Sequence, residues 1–148
     1  MTSILFTSLC RLAIAFWVGG AALFTFLLTP IIFRVENRDA AGRIVGYLFP
    51  GYFRWGLACG CAALAALLVV RGRHWVPATA LLVVMLALTA FQAFYIEPRA
   101  ALLKQQIPSF ETTPRDHPLR REFSKLHGIS AACNLSVIAG GVVLVVVL

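Results

Sequence analysis

His127 and Asn134 stand seven residues apart in an apolar stretch, with Ser130 between them. On a helix that spacing is two turns, so imidazole, hydroxyl and amide project from nearly one face. Asn134 would then sit roughly 10 Å beyond His127 along the axis. Such a set can orient a small polar ligand or hand on a proton. Polar groups at such depth are costly and are therefore functional candidates. The buried amide needs a partner on another helix, and Gln92 or a carbonyl loosened near Pro30 would serve. Arg34 and Arg54 would draw in an anionic ligand, while Glu97 reads as one half of an interfacial ion pair with Arg99, Arg34 or Arg54.

Metal chemistry is a narrower case. His127 with Cys59 or Cys133 has the soft donors of a metal site. Cys59 and Cys61, about 200° apart on a helix, cannot both face one ion. His74 and His117 fall in connecting segments, so one chain cannot offer two spanning histidines to a haem. No cofactor is assigned. No nucleotide loop, catalytic triad or metalloprotease helix is present, and no residue is assigned as catalytic. The competing structural reading gives Asn134 the task of tying two helices and His127 that of marking the headgroup boundary.

The elements that must position these residues come from four stretches without formal charge: Leu12–Phe33, Trp55–Val70, Trp75–Ile96 and Leu126–Leu148. They cover more than half of the 148 residues, and each approaches the ~20 apolar residues that cross a bilayer. Of the whole chain 60% is hydrophobic and 13% charged, against about 25% charged in a soluble domain. Lipid gives the backbone no partners, so spans are helices or a closed barrel. Continuous apolar runs exclude the barrel. The expected fold is all-α: a polytopic membrane protein built as an antiparallel four-helix bundle, one domain over 1–148. Spans are expected at about 10–33, 52–70, 75–96 and 125–148. Arg54 must then snorkel.

Between the first two spans, Asn37 and Asp39 offer helix-start chemistry. Ala41, Ile44, Val45 and Leu48 follow at helical spacing. A short amphipathic helix over about 38–49 is expected to lie at the interface and to end at Pro50-Gly51. Arg71–His74 makes a tight turn. The third span should kink at Glu97-Pro98, past which Ala100–Ile107 can continue helically, and a polar loop is expected over about 98–122, with Asp116 capping the last helix. No internal repeat or low-complexity tract is visible. The early apolar run is too long for a signal peptide and lacks a basic start, so it reads as a retained span.

The net charge of +7 reflects topology rather than nucleic-acid binding. Ten basic residues fall on the side of the first and third loops: Arg34, Arg38, Arg43, Arg54, Arg99, Lys104, Arg115, Arg120, Arg121 and Lys125. Three, Arg11, Arg71 and Arg73, fall on the other. That bias places those loops in the cytoplasm and both termini outside, in a bacterial inner membrane. Cys10, Cys59, Cys61 and Cys133 read as packing residues rather than a disulfide framework. Helices in lipid associate through small residues. Gly19, the pair Gly56 and Gly60, and the ridge Gly128, Ala132, Ser136 and Gly140 are the expected packers, within the bundle or between copies.

Several of these motifs fall in a fixed order: Phe16-Trp17-Val18-Gly19-Gly20, Pro30, Phe33, Ala41-Gly42-Arg43, Leu48-Phe49-Pro50-Gly51-Tyr52-Phe53, Phe123, and Leu126-His127-Gly128-Ile129-Ser130 with Asn134. In that order they resemble the transmembrane protein 205-like domain family, over essentially the whole chain. The resemblance implies a four-helix membrane fold without a settled biochemical role, and it sets His127, Ser130 and Asn134 within the family motif. The first span is also similar, more distantly, to the CopD-like group of small membrane bundles, which includes copper-resistance proteins and the HemJ type of protoporphyrinogen oxidase. That group carries a histidine two turns before the Trp-x-Gly stretch. Here Cys10-Arg11 stands there, so no catalytic residue is transferred.

The functional expectation is a polar pocket, near the face of the first and third loops, that binds or transports a metal ion, porphyrin or similar small ligand. The alternative is a non-catalytic accessory subunit, packed on a larger membrane complex or on itself. A HemJ-like redox enzyme comes last. The lipid bilayer is the one partner that composition alone requires.

Overall fold

The computed structural model describes residues 2–148, with side chains from residue 4 onward. It is helical throughout, and no strand occurs among the described residues. Helix α1 (Thr2–Leu23) passes into a π turn, π1 (Phe24–Leu28), and then α2 (Thr29–Val35). Helix α3 runs from Arg38 to Val70. Helix α4 (Trp75–Phe91) passes into π2 (Gln92–Ile96) and α5 (Glu97–Gln106), and α6 closes the chain over Pro118–Val147. Four continuous rods result, Ile4–Val35, Arg38–Val70, Trp75–Gln106 and Pro118–Val147, each long and apolar enough to cross a membrane. The protein is an integral membrane four-helix bundle.

The rods form a ring in which α1 neighbours α3, α3 neighbours α4, α4 neighbours α6, and α6 returns to α1. Their outer faces expose large apolar side chains such as Phe16, Leu27, Val84, Phe94 and Val146, as lipid requires. The centre holds Ile14, Trp17, Leu82, Met85, Val137 and Leu144.

Both π turns answer the same problem. Proline lacks an N–H, and its ring strikes the carbonyl four residues back. A π turn inserts one extra residue and relieves that crowding without ending the rod. Ahead of Pro30 the Thr29 N–H reaches back to the Phe24 carbonyl, and ahead of Pro98 the Glu97 N–H reaches the Gln92 carbonyl.

Pro50 behaves differently from the expectation that it ends a separate interfacial helix. Residues 38–49 are the first turns of α3, which continues through Pro50 and Gly51. Pro50 has no N–H to give the Gly46 carbonyl four residues back, and Lys104 of α5 binds one turn earlier. The Lys104 ammonium donates to the Gly42 carbonyl and would stand 3.3 and 3.4 Å from a Cβ on Gly42 or Gly46. The two glycines leave room for the lysine, which ties α5 to the start of α3.

The loop after α5 is also less free than its composition suggests. Asn37 caps α3 through Ala40 N–H (2.8 Å), and Asp39 accepts from Ser109 Oγ and Phe110 N–H, each at 2.6 Å. Glu111 in turn accepts from Arg38 N–H at 2.7 Å. The third connection is therefore laid on the start of α3. Within the expected loop of 98–122, residues 98–106 continue helically past the kink and 118–122 already belong to α6, and the residue before α6 is His117 rather than Asp116. Pro118 at the first helical position, with its φ already fixed, starts α6 without a side-chain cap.

The expected packing residues divide. Gly56 and Gly60 receive the Trp17 indole: a Cβ on Gly56 would meet its Nε1 at 2.8 Å, and one on Gly60 its Cζ3 at 2.6 Å. Gly140 lies under Met85. Around Gly19 and Gly128 no described atom comes within 4 Å of an added Cβ, and Ala132 and Ser136 are exposed. Spacing by four advances 400° on a helix and drifts 40° per step. Gly128 and Gly140 therefore face different ways, and the expected ridge does not pack as one. Gly60→Ala should lower the detergent melting temperature, at a cost of about 1–3 kcal/mol from overpacking. Gly128→Ala should leave it unchanged or slightly raised.

Candidate polar layer

Thr25 on π1, Tyr52 on α3, Gln92 on π2, and Ser130 and Asn134 on α6 meet at one level of the bundle. Asn134 Nδ2 donates to Thr25 Oγ1 at 2.6 Å, and the Tyr52 hydroxyl donates to Asn134 Oδ1. Ser130 Oγ donates to Gln92 Oε1 at 3.0 Å, and Gln92 Nε2 returns to its own helix at the Leu88 carbonyl (3.3 Å). Every spanning rod contributes to these bonds. Gln92 is among the most buried side chains, only 2% exposed.

The sequence positions these groups through the helix defects. Thr25 is the second residue of π1 and Gln92 the first of π2, so the widened turns that accommodate Pro30 and Pro98 also carry the polar side chains. Tyr52 is held by aromatic packing: its ring stacks on Phe24 at 4.7 Å and meets Phe53 at 5.1 Å. Phe49 completes the cluster against Phe24 and Phe53. A fixed ring gives its hydroxyl one direction, toward α6.

The sequence-predicted site is thus half assembled. Asn134, Ser130 and Gln92 come together, but Gln92 pairs with Ser130 rather than Asn134. The amide takes Thr25 and Tyr52 instead of a carbonyl near Pro30. His127 does not join them: it is exposed and stacks on Phe123 with ring centroids 6.4 Å apart. One turn beyond Ser130, toward the third loop, it faces outward. Arg34 and Arg54 are likewise exposed, and Glu97 is half-buried at the start of α5, where Lys104 is the charge that acts on it. Arg99 lies over the Tyr95 ring at 3.9 Å. The soft-donor set is dispersed, with Cys59 buried in the core, Cys133 half-buried and His127 outside. Among the described residues no three His, Cys, Asp or Glu gather as a metal site.

Tyr52 was hidden in the sequence because it sits in a run of aromatics that reads as span boundary. Its signal was the proximity to Pro50, where a polar hydroxyl on a deep helix needs a partner. A cavity of about 240 Å³ lies at the opposite end of the bundle, lined by Cys10, Leu67, Arg73, His74 and Trp75 among others. The polar layer itself is closed by its own bonds.

Asn134→Leu should leave both Thr25 and Tyr52 without their partner and lower stability in detergent by about 1–2 kcal/mol, the upper range for an interhelical polar contact. His127→Ala should shift the same melting curve by less than about 0.5 kcal/mol, as exposed changes do.

Residues 12–109 match the family model described as "Domain of unknown function (DUF4149)", and the chain belongs to that family. It is also similar to a protein of Aquifex aeolicus (strain VF5) named "Uncharacterized protein", 28% identical over 126 residues, covering 84% of this chain and 83% of that one. No solved structure matches.

Proposed function

We propose that this member of the DUF4149 family binds or carries a small ligand at the layer formed by Thr25, Tyr52, Gln92, Ser130 and Asn134. One observation carries the reading: an amide in the membrane interior is shared between two other rods, beside two π turns. Turns of this kind recur at functional sites, and intramembrane polar groups are retained where they serve one. The five side chains are all neutral hydroxyls and amides. An ion placed among them would lose its hydration without a counter-charge. The ligand class that fits is a small neutral molecule with both donors and acceptors, and a metal ion or porphyrin fits the donor set less well. Arg34 acts from outside the layer, at the headgroups, whereas Arg54, two residues past Tyr52 on α3, turns its exposed side chain away from the layer at about the same depth.

Entry is from the face of the first and third loops, which the charge bias puts in the cytoplasm of a bacterial cell, with both termini outside. The kinship with the transmembrane protein 205-like family, read from the motifs, belongs to this proposal. A second reading is an accessory subunit of a larger membrane complex. The outward-facing Gly128, Ala132 and Ser136 favour it, since small residues let another helix approach.

Native mass spectrometry of the protein released from mild detergent separates the two. A small neutral adduct that survives in His127→Ala and disappears in Ser130→Ala or Asn134→Leu supports ligand binding. Constant recovery of larger membrane partners, with no small adduct, sinks it in favour of the accessory role.

A further inference from the structure

The two halves of the bundle share one construction that their sequences conceal. In the first hairpin, residues 2–70, π1 starts six residues before Pro30. In the second, residues 75–147, π2 starts six residues before Pro98. Seven residues ahead of each π turn stands a large buried side chain, Trp17 or Met85, and each seats on glycine of the second helix in its own hairpin: Trp17 on Gly56 and Gly60, Met85 on Gly140. Trp55, whose indole N–H points to the Phe16 carbonyl at 3.4 Å, adds to the first pair. The Ser130–Gln92 bond adds to the second. Each hairpin is therefore tied within itself, and matched proline interruptions in two repeats mark where transport folds place their sites.

The two seams between the hairpins differ. Along α3 and α4–α5 the chain is joined by the turn at residues 71–74, by Lys104 on Gly42, and by Asp39 with Ser109 and Phe110. Along α1 and α6 the contact is the least extensive of the four neighbour pairs, with its one close seat, Val18 on Gly141, toward the end away from the first and third loops. Among the described residues, the side-chain hydrogen bonds that cross between hairpins at the depth of the polar layer both end on Asn134, one on Thr25 and one on Tyr52. Toward the far end, Arg11 holds the Leu148 main-chain oxygen.

We infer that the protein is a pair of parallel hairpin repeats that parts between α1 and α6, hinged along α3 and α4, with Asn134 as the latch. This rests on the ligand-site reading for its purpose, since it supplies a lateral path to the layer. It stands or falls separately as mechanics. Motion of this type needs a few tied contacts on one side and few on the other, which is what a hinge and an opening require.

The test uses the full chain in lipid nanodiscs, with both faces accessible, in a background whose four native cysteines are alanine and whose melting curve matches the parent. A reporter cysteine at Thr29 lies on the α1 side, one turn from Thr25; one at Ile96 lies on the hinge side. Labelling by a charged, membrane-impermeant thiol reagent is timed without ligand. Asn134→Leu should speed labelling at position 29 at least ten-fold and at position 96 less than two-fold. Tyr52→Phe, which removes one hydroxyl and keeps the ring, should act in the same direction should the first variant fold poorly. Ser130→Ala, within one hairpin, should change neither. Equal acceleration at both positions, or none at position 29 in either variant, overturns the inference. A gate that opens in a protein that yields no small adduct would leave the mechanics standing and fell the ligand reading; an adduct with a seam that never opens would do the reverse.

Discussion

Inside a bilayer there is no water to satisfy a backbone group, and this one constraint organises the molecule. It makes the four rods helical from end to end, and it makes every proline in their interior a break in the hydrogen-bond ladder. Two of the three interior prolines share one solution. Pro30 and Pro98 are each preceded by a π turn, whereas α3 continues through Pro50 without one. The polar layer follows from the first two, because widened turns are where Thr25 and Gln92 present their side chains.

The same constraint decides how the layer closes. A free amide in lipid would cost several kcal/mol, so Asn134 is paired at both ends, through Oδ1 and Nδ2. The pairing is selective rather than strong, since interhelical hydrogen bonds in membranes contribute only about 1 kcal/mol each. Apolar packing against glycine acts within each hairpin (Trp17, Met85) and between them (Val18 on Gly141, Leu86 on Gly60), and hydrogen bonding adds to the direction in which they meet. A contact of that strength fixes a resting arrangement and still lets it exchange.

Much of the fold was legible in charge-free length: four runs, a tight turn at residues 71–74, and all-helical spans follow from the composition of lipid alone. The rod lengths were less legible, because charged residues such as Arg38 and Arg43 hide helix that continues past the hydrocarbon. The π turns left only their prolines as a trace. Of the site, Asn134, Ser130 and Gln92 were readable as polar groups in apolar surroundings. His127 misled because it shares their periodicity, and periodicity does not tell whether a neighbouring helix reaches that level. Tyr52 was lost among aromatics. The small-residue ridge failed for a geometric reason, a drift of 40° at each four-residue step.

The rods hold 30 to 33 residues each, about 45–50 Å of helix in a hydrocarbon layer of ~30 Å. A four-residue turn leaves no room for the surplus at one end, so it stands above the lipid at the other as a stiff collar, with the third connection strapped to its rim. That collar carries all six acidic residues and nine of the thirteen basic ones, Arg54 lying below it. Sinking would drag those charges into oil, and rising would wet the apolar flanks below. The protein is thereby fixed in height, and a soluble molecule arriving from that side meets a rigid, charged crown rather than loose loops.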